Sequence, residues 1–151
     1  MNRFKTLDDL DVRGKRVLVR LDLNVPMKDG AVADMARVTR QAPTVRELAL
    51  STEPDGVVIG TLGAGHLSPE VLELWGDAAQ RIPVVAYCRP ERDVILSATY
   101  GYSGSERDLR GTAMIPAGFL SPQAARMKLL ACLSAGLTID EVRWAFRQDD
   151  G

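Results

Sequence analysis

The residues of this chain that could do acid–base or covalent chemistry are few, and their surroundings limit what each can do. The single histidine, His66, follows a glycine-rich run, Gly60-Thr61-Leu62-Gly63-Ala64-Gly65. An imidazole there can exchange protons near neutral pH, or simply sit on a surface loop. Glu106 lies in a stretch rich in Gly, Ser and Tyr beside Arg107 and Arg110, so a loop ion pair is its simplest use. A threonine hydroxyl becomes a nucleophile only beside a base and an oxyanion site. Thr61, Thr99 and Thr112 show no such partner in sequence, so no catalytic residue is nominated. Cys88 and Cys132 make neither a zinc spacing nor a disulfide framework. No metal and no cofactor are expected, and a reduced, cytoplasmic setting follows from that cysteine usage.

Those side chains need elements to position them. Gly56-Val57-Val58-Ile59-Gly60 is a short apolar run of the kind buried on both faces of a parallel sheet. Ser68-Pro69 opens a helix expected to reach about Gln80, with serine as the cap and proline in the first turn. Pro83 through Tyr87 is a second buried strand, and Val94-Ile95-Leu96 is a candidate third. Residues 99–112 have little periodicity and read as a long surface loop, a frequent home of function. Ser121-Pro122 repeats the helix start, and Gly136 is the matching stop. Thr138-Ile139-Asp140-Glu141 spells a capping box ahead of a last helix carrying Val142, Trp144 and Phe146.

Nearer the N-terminus, Lys15 to Asp22 alternates as a strand, with Val17, Val19 and Leu21 on one face. Asn24 to Gly30 reads as a loop with Asp29-Gly30 as its turn, and a helix is expected from Asp34, interrupted by Pro43. Residues 51–55 are polar, contain Pro54 and read as a junction. Strands alternating with helices give an α/β fold: a small parallel-sheet domain with flanking helices over residues 56–151, plus an N-terminal strand-helix appendage over 1–50.

Bulk properties agree with a packed protein. The 151 residues are 46% hydrophobic and 26% charged, near the globular average. Net charge is −1, unevenly shared: residues 1–50 hold 10 Lys/Arg against 7 Asp/Glu, an excess that would suit an anionic ligand. The basic density and interleaved aromatics of a nucleic-acid binder are missing, so no nucleic-acid partner is expected. No apolar run approaches the roughly 20 residues of a membrane helix. The opening Met1-Asn2-Arg3-Phe4-Lys5 does not look like a secretion signal, and no membrane partner is expected.

Two family resemblances run through the chain. Thr6-Leu7-Asp8-Asp9-Leu10, Gly14-Lys15-Arg16-Val17-Leu18-Val19-Arg20, Asp22-Leu23-Asn24-Val25-Pro26 and Arg37 resemble the N-terminus of phosphoglycerate kinase. That likeness implies that Asp22, Asn24 and Arg37 sit at positions which help bind phosphoglycerate. The family's next strand, its His-Leu-Gly-Arg-Pro loop and its nucleotide-binding domain have no counterpart here, so kinase activity is not expected.

From about Asp55 the sequence is similar to the C-terminal domain of bacterial-type L-asparaginases. The likeness rests on Gly63-Ala64-Gly65-His66, Ile82-Pro83-Val84-Val85, the run Tyr100 to Leu109, Ile115-Pro116-Ala117-Gly118 and Leu120 to Arg126, in that order. It implies an amidohydrolase acting on L-asparagine to give L-aspartate and ammonia, working as a homo-oligomer whose sites lie between subunits. On the same basis Glu106 contacts the substrate's amino group across the interface. His66 stands where many members carry Asn in a Gly-Asn-Gly-Asn run, and is the second substrate-binding candidate. This sequence contains no Thr-Gly-Gly-Thr or Thr-Asp-Thr string, the segments that hold the family's nucleophilic hydroxyls. The chain therefore reads as chimera-like. The alternatives to a hydrolase are a self-associating module without catalysis and a phosphoglycerate-binding fragment.

Overall fold

The computed structural model describes residues 54–89 and 94–147, together with Asp9, Asp11, Met27–Lys28 and Ala31–Val32. The chain divides into two compact units, Met1–Pro54 and Asp55–Gly151. In the first, β1 (Met27–Lys28) pairs antiparallel with β2 (Ala31–Val32), placing Met27 opposite Val32. Part of the expected loop is thus strand. The Asp-Gly dipeptide between the two pieces is a hairpin signal, and it accounts for pairing on either side of it. The expected strand over 15–22 and helix from Asp34 lie outside the described residues, as do Asp22, Asn24 and Arg37.

The second unit is an α/β domain. β3 (Val57–Thr61), β4 (Val84–Cys88) and β5 (Ile115–Pro116) form a parallel sheet in the order β3-β4-β5. Val57 pairs with Val84, Thr61 with Cys88, and Val85 with Ile115. Val84, Val85 and Ala86 are all fully buried. A strand covered on both faces must be apolar at successive positions, which explains the unbroken Val-Val-Ala run. The candidate strand at Val94–Leu96 is not a strand. Ile95 instead packs against the Gly65 turn, and the Leu96 N–H donates to the Ala64 carbonyl at 3.0 Å. The third strand is β5.

Each long helix begins where its sequence signal lies. α1 (Pro69–Ala78) is capped by Ser68, whose hydroxyl accepts from the Val71 N–H, and Glu70 adds negative charge to the first turn. Within the expected loop over 99–112 there is a short helix, α2 (Glu106–Arg110). α3 (Pro122–Ser134) starts on Ser121, whose hydroxyl accepts from the Ala124 N–H at 3.2 Å; such a cap is worth about 1 kcal/mol. It ends at Gly136, where φ is +73° and the Leu137 N–H reaches back to the Cys132 carbonyl at 3.1 Å. α4 (Ile139–Arg147) opens with the reciprocal capping box: Thr138 N–H donates to Glu141 Oε2 at 2.8 Å and Glu141 N–H to Thr138 Oγ1 at 3.4 Å.

α3 and α4 bury Ala125, Leu129, Cys132, Val142 and Phe146 against Val85 and Ile115 of the sheet. Full burial of a side chain such as Phe146 contributes roughly 2–3 kcal/mol. Arg143 of α4 adds a polar tie. Its Nη2 donates to the Ala79 carbonyl at 3.2 Å and the Ala113 carbonyl at 3.5 Å, while Nη1 holds Asp140 at 2.7 Å. Among the described residues, no helix is long and apolar enough to cross a membrane.

Candidate functional site

His66, Tyr100, Tyr102 and Glu106 meet in loops that follow the carboxyl ends of β3 and β4. In parallel sheets ligands bind beyond those ends, because the connecting loops converge there. His66 is delivered by a single 3₁₀ turn at Gly63–Gly65, in which Ala64 takes φ +61° and Gly65 φ +98°. A Cβ on Gly65 would come 2.6 Å from Ile95 Cγ2, so the turn needs glycine both for its backbone and for its neighbour. The Leu67 N–H then donates to the Gly104 carbonyl at 2.9 Å, fastening the histidine loop to the segment that enters α2.

Glu106, the first residue of α2, is fully buried. Its Oε1 accepts from the Thr99 N–H at 2.6 Å and the Tyr100 N–H at 2.7 Å. Oε2 lies 3.4 Å from His66 Nε2 and has no hydrogen-bond partner. That separation is too long for a good N–H···O bond, so the imidazole edge faces the carboxylate without hydrogen-bonding it. Burial pushes the Glu106 carboxyl up, but the N–H groups of Tyr100, Glu106 itself and Thr99, with His66, outweigh it and hold the group below its ordinary value. The buried carboxylate is therefore ionised at neutral pH. The expected alternative, an ion pair with Arg107 or Arg110, is not what the structure shows. Arg110 turns away to the carbonyls of Leu96 and Ile95 at 2.8 and 2.9 Å.

The other face of His66 meets tyrosines. Nδ1 lies 2.7 Å from the Tyr102 hydroxyl, while the Tyr100 ring stands edge-on to the imidazole, centroids 4.9 Å apart. Burial, then the charge of Glu106, then Tyr100 push the Tyr102 phenol above its ordinary value, so it keeps its proton. With Glu106 opposite Nε2, the tautomer protonated at Nε2 is favoured, leaving Nδ1 free to accept from Tyr102. Sequence reasoning nominated His66 and Glu106, and the structure sets them side by side. It missed Tyr100 and Tyr102; the Tyr-Gly-Tyr spacing ahead of Glu106 was the available signal. The hydroxyls of Thr61 and Thr112 are engaged locally, donating to Leu62 or Tyr87 carbonyls and to the Leu109 carbonyl respectively. Among the described residues no group of His, Cys, Asp and Glu could hold a metal ion, and Cys88 and Cys132 are buried. A shallow cleft of about 330 Å³ beside α1, lined by Leu72, Glu73, Asp77, Gln80 and Thr112, includes neither His66 nor Glu106.

An α/β domain with a buried carboxylate and an imidazole at the carboxyl end of its parallel sheet defines the class. The Glutaminase/Asparaginase C-terminal domain family matches residues 35–146, and the chain belongs to that family. A second likeness overlaps it. The chain is 78% identical over 46 residues to phosphoglycerate kinase of Granulibacter bethesdensis, a match covering 30% of this chain and 12% of that protein. Against phosphoglycerate kinase of Bradyrhizobium diazoefficiens it is 65% identical over 48 residues, covering 32% and 12%. Against that of Sinorhizobium fredii it is 45% identical over 96 residues, covering 56% and 23%. The chain thus spans between an eighth and a quarter of these curated relatives and is chimera-like in its similarities.

Proposed function

We propose that the domain over 55–151 is an asparaginase-type ligand module in which Glu106 takes the α-ammonium group of L-asparagine, the substrate whose hydrolysis to L-aspartate and ammonia is the chemistry of this reading. The carrying observation is the state of the Glu106 carboxylate. One oxygen is saturated by two backbone N–H groups, and the other is buried, ionised and without a hydrogen-bond donor. An ammonium group supplies both the charge and the donors that such an oxygen needs. To reach it, the amine must move His66 from its 3.4 Å contact.

Calorimetry with L-asparagine and with succinamic acid, the same molecule without its amino group, tests the assignment. L-asparagine should bind roughly tenfold or more tightly, the worth of a charge-assisted hydrogen bond. Glu106→Gln should abolish the difference. Equal binding of the two ligands by the unaltered protein would remove Glu106 from the amine site. Ammonia release from the same samples measures turnover separately.

A second reading is supported by the 78% identity to phosphoglycerate kinase: residues Asp22, Asn24 and Arg37 retain affinity for a phosphoglycerate. Heat on titration with millimolar 3-phosphoglycerate, lost in Arg37→Ala, is the expected result. Absence of heat at that concentration would end it.

A further inference from the structure

We propose that Tyr102 is an acyl-accepting nucleophile, activated by His66 as general base and Glu106 as the carboxylate behind it. The geometry is a relay of three side chains. The Tyr102 hydroxyl lies 2.7 Å from His66 Nδ1, and His66 Nε2 faces Glu106 Oε2 at 3.4 Å. The ends of the relay differ in the way the chemistry requires. Glu106 is fully buried and fixed by two backbone N–H donors, whereas Tyr102 is 40% exposed and open to a reagent. A buried carboxylate behind an imidazole selects the tautomer and stabilises the imidazolium formed when the ring takes a proton. This reading goes beyond the amine site and does not depend on L-asparagine binding.

The step balances without an added reagent. The Tyr102 oxygen forms a bond to the carbonyl carbon of a small activated acyl donor as its proton passes to His66 Nδ1. The bond from that carbon to the leaving group breaks. The leaving group carries off the bonding pair and takes the proton back from Nδ1, so the imidazole returns to its neutral form. The product is an O-acyl tyrosine.

Tyr100 provides a built-in comparison. It is 44% exposed, two residues away, and meets the same imidazole through the edge of its ring rather than by a hydroxyl–nitrogen contact. General-base assistance accelerates such transfers by about a hundredfold or more in enzymes, and tenfold is ample to read. The experiment treats the full chain with N-acetylimidazole and follows acetylation of each tyrosine by peptide mass spectrometry. Tyr102 should be acetylated at least about tenfold faster than Tyr100, and His66→Asn should bring the two rates together. Equal rates in the unaltered protein would overturn the proposal without recourse to any variant. An excess at Tyr102 that survives His66→Asn would also overturn it, by placing its cause outside the relay.

Discussion

Gly104→Ala should destabilise the second unit by about 4 kcal/mol, among the largest costs a single added methyl can impose. Gly104 takes φ +87°, and a Cβ there would stand 2.2 Å from the Leu67 carbonyl oxygen, a backbone atom that cannot swing aside. The same glycine accepts the Leu67 N–H through its own carbonyl at 2.9 Å. Relief of the clash therefore separates the loop bearing His66 from the loop bearing Glu106. Gly136→Ala is the control, because φ is +73° there but nothing lies within 4 Å of the added carbon. That variant should cost only the left-handed backbone penalty of roughly 1–2 kcal/mol. Urea denaturation of the two variants decides the matter. Similar midpoints would mean that close approach at Gly104 is not what holds the two loops together.

Glu106→Ala should cost about 3 kcal/mol and should remove part of the protein's sensitivity to acid. Two short bonds from the Thr99 and Tyr100 N–H groups are lost, and bonds to a charged acceptor are each worth about 1.5–3 kcal/mol. The direction with pH follows from the depressed folded-state value of the Glu106 carboxyl. Above the unfolded glutamate value the ionised group contributes its full stabilisation. As pH falls through the lower folded value, protonation removes it. Stability of the unaltered protein should therefore fall on acidification below the ordinary glutamate value of 4.5, and the slope should be shallower in Glu106→Gln. Parallel slopes for the two proteins would show that Glu106 is not a source of acid sensitivity.

The parts of this fold legible in the sequence are those governed by local rules. The apolar runs at Val57 and Val84 became strands, and Ser68-Pro69, Ser121-Pro122 and the Thr138–Glu141 box became helix starts. The last helix was legible, but not its buried face. Val142 and Phe146, four residues apart, are buried, while Trp144 points away from them and is 64% exposed. Helix α2 was hidden because five residues with only Leu109 and Glu106 inward carry no helical period. Glu106 was legible as a substrate-binding candidate or half of a loop ion pair, but its burial was not, since burial of a carboxylate depends on backbone donors that sequence does not display. The strand expected at Val94–Leu96 failed for a related reason: its one inward residue, Ile95, fills the space beside Gly65 and pairs with no strand. The Tyr102–His66 contact joins residues 36 apart, and no local signal encodes it.

Arg143 has a consequence for how the domain opens. Its guanidinium is shared between carbonyls at Ala79 and Ala113, 64 and 30 residues away along the chain. Detaching α4 therefore also frees the end of α1 and the approach to β5. Fraying confined to the last helix is suppressed, and these three regions should exchange their slowest amide hydrogens together, as one cooperative unit.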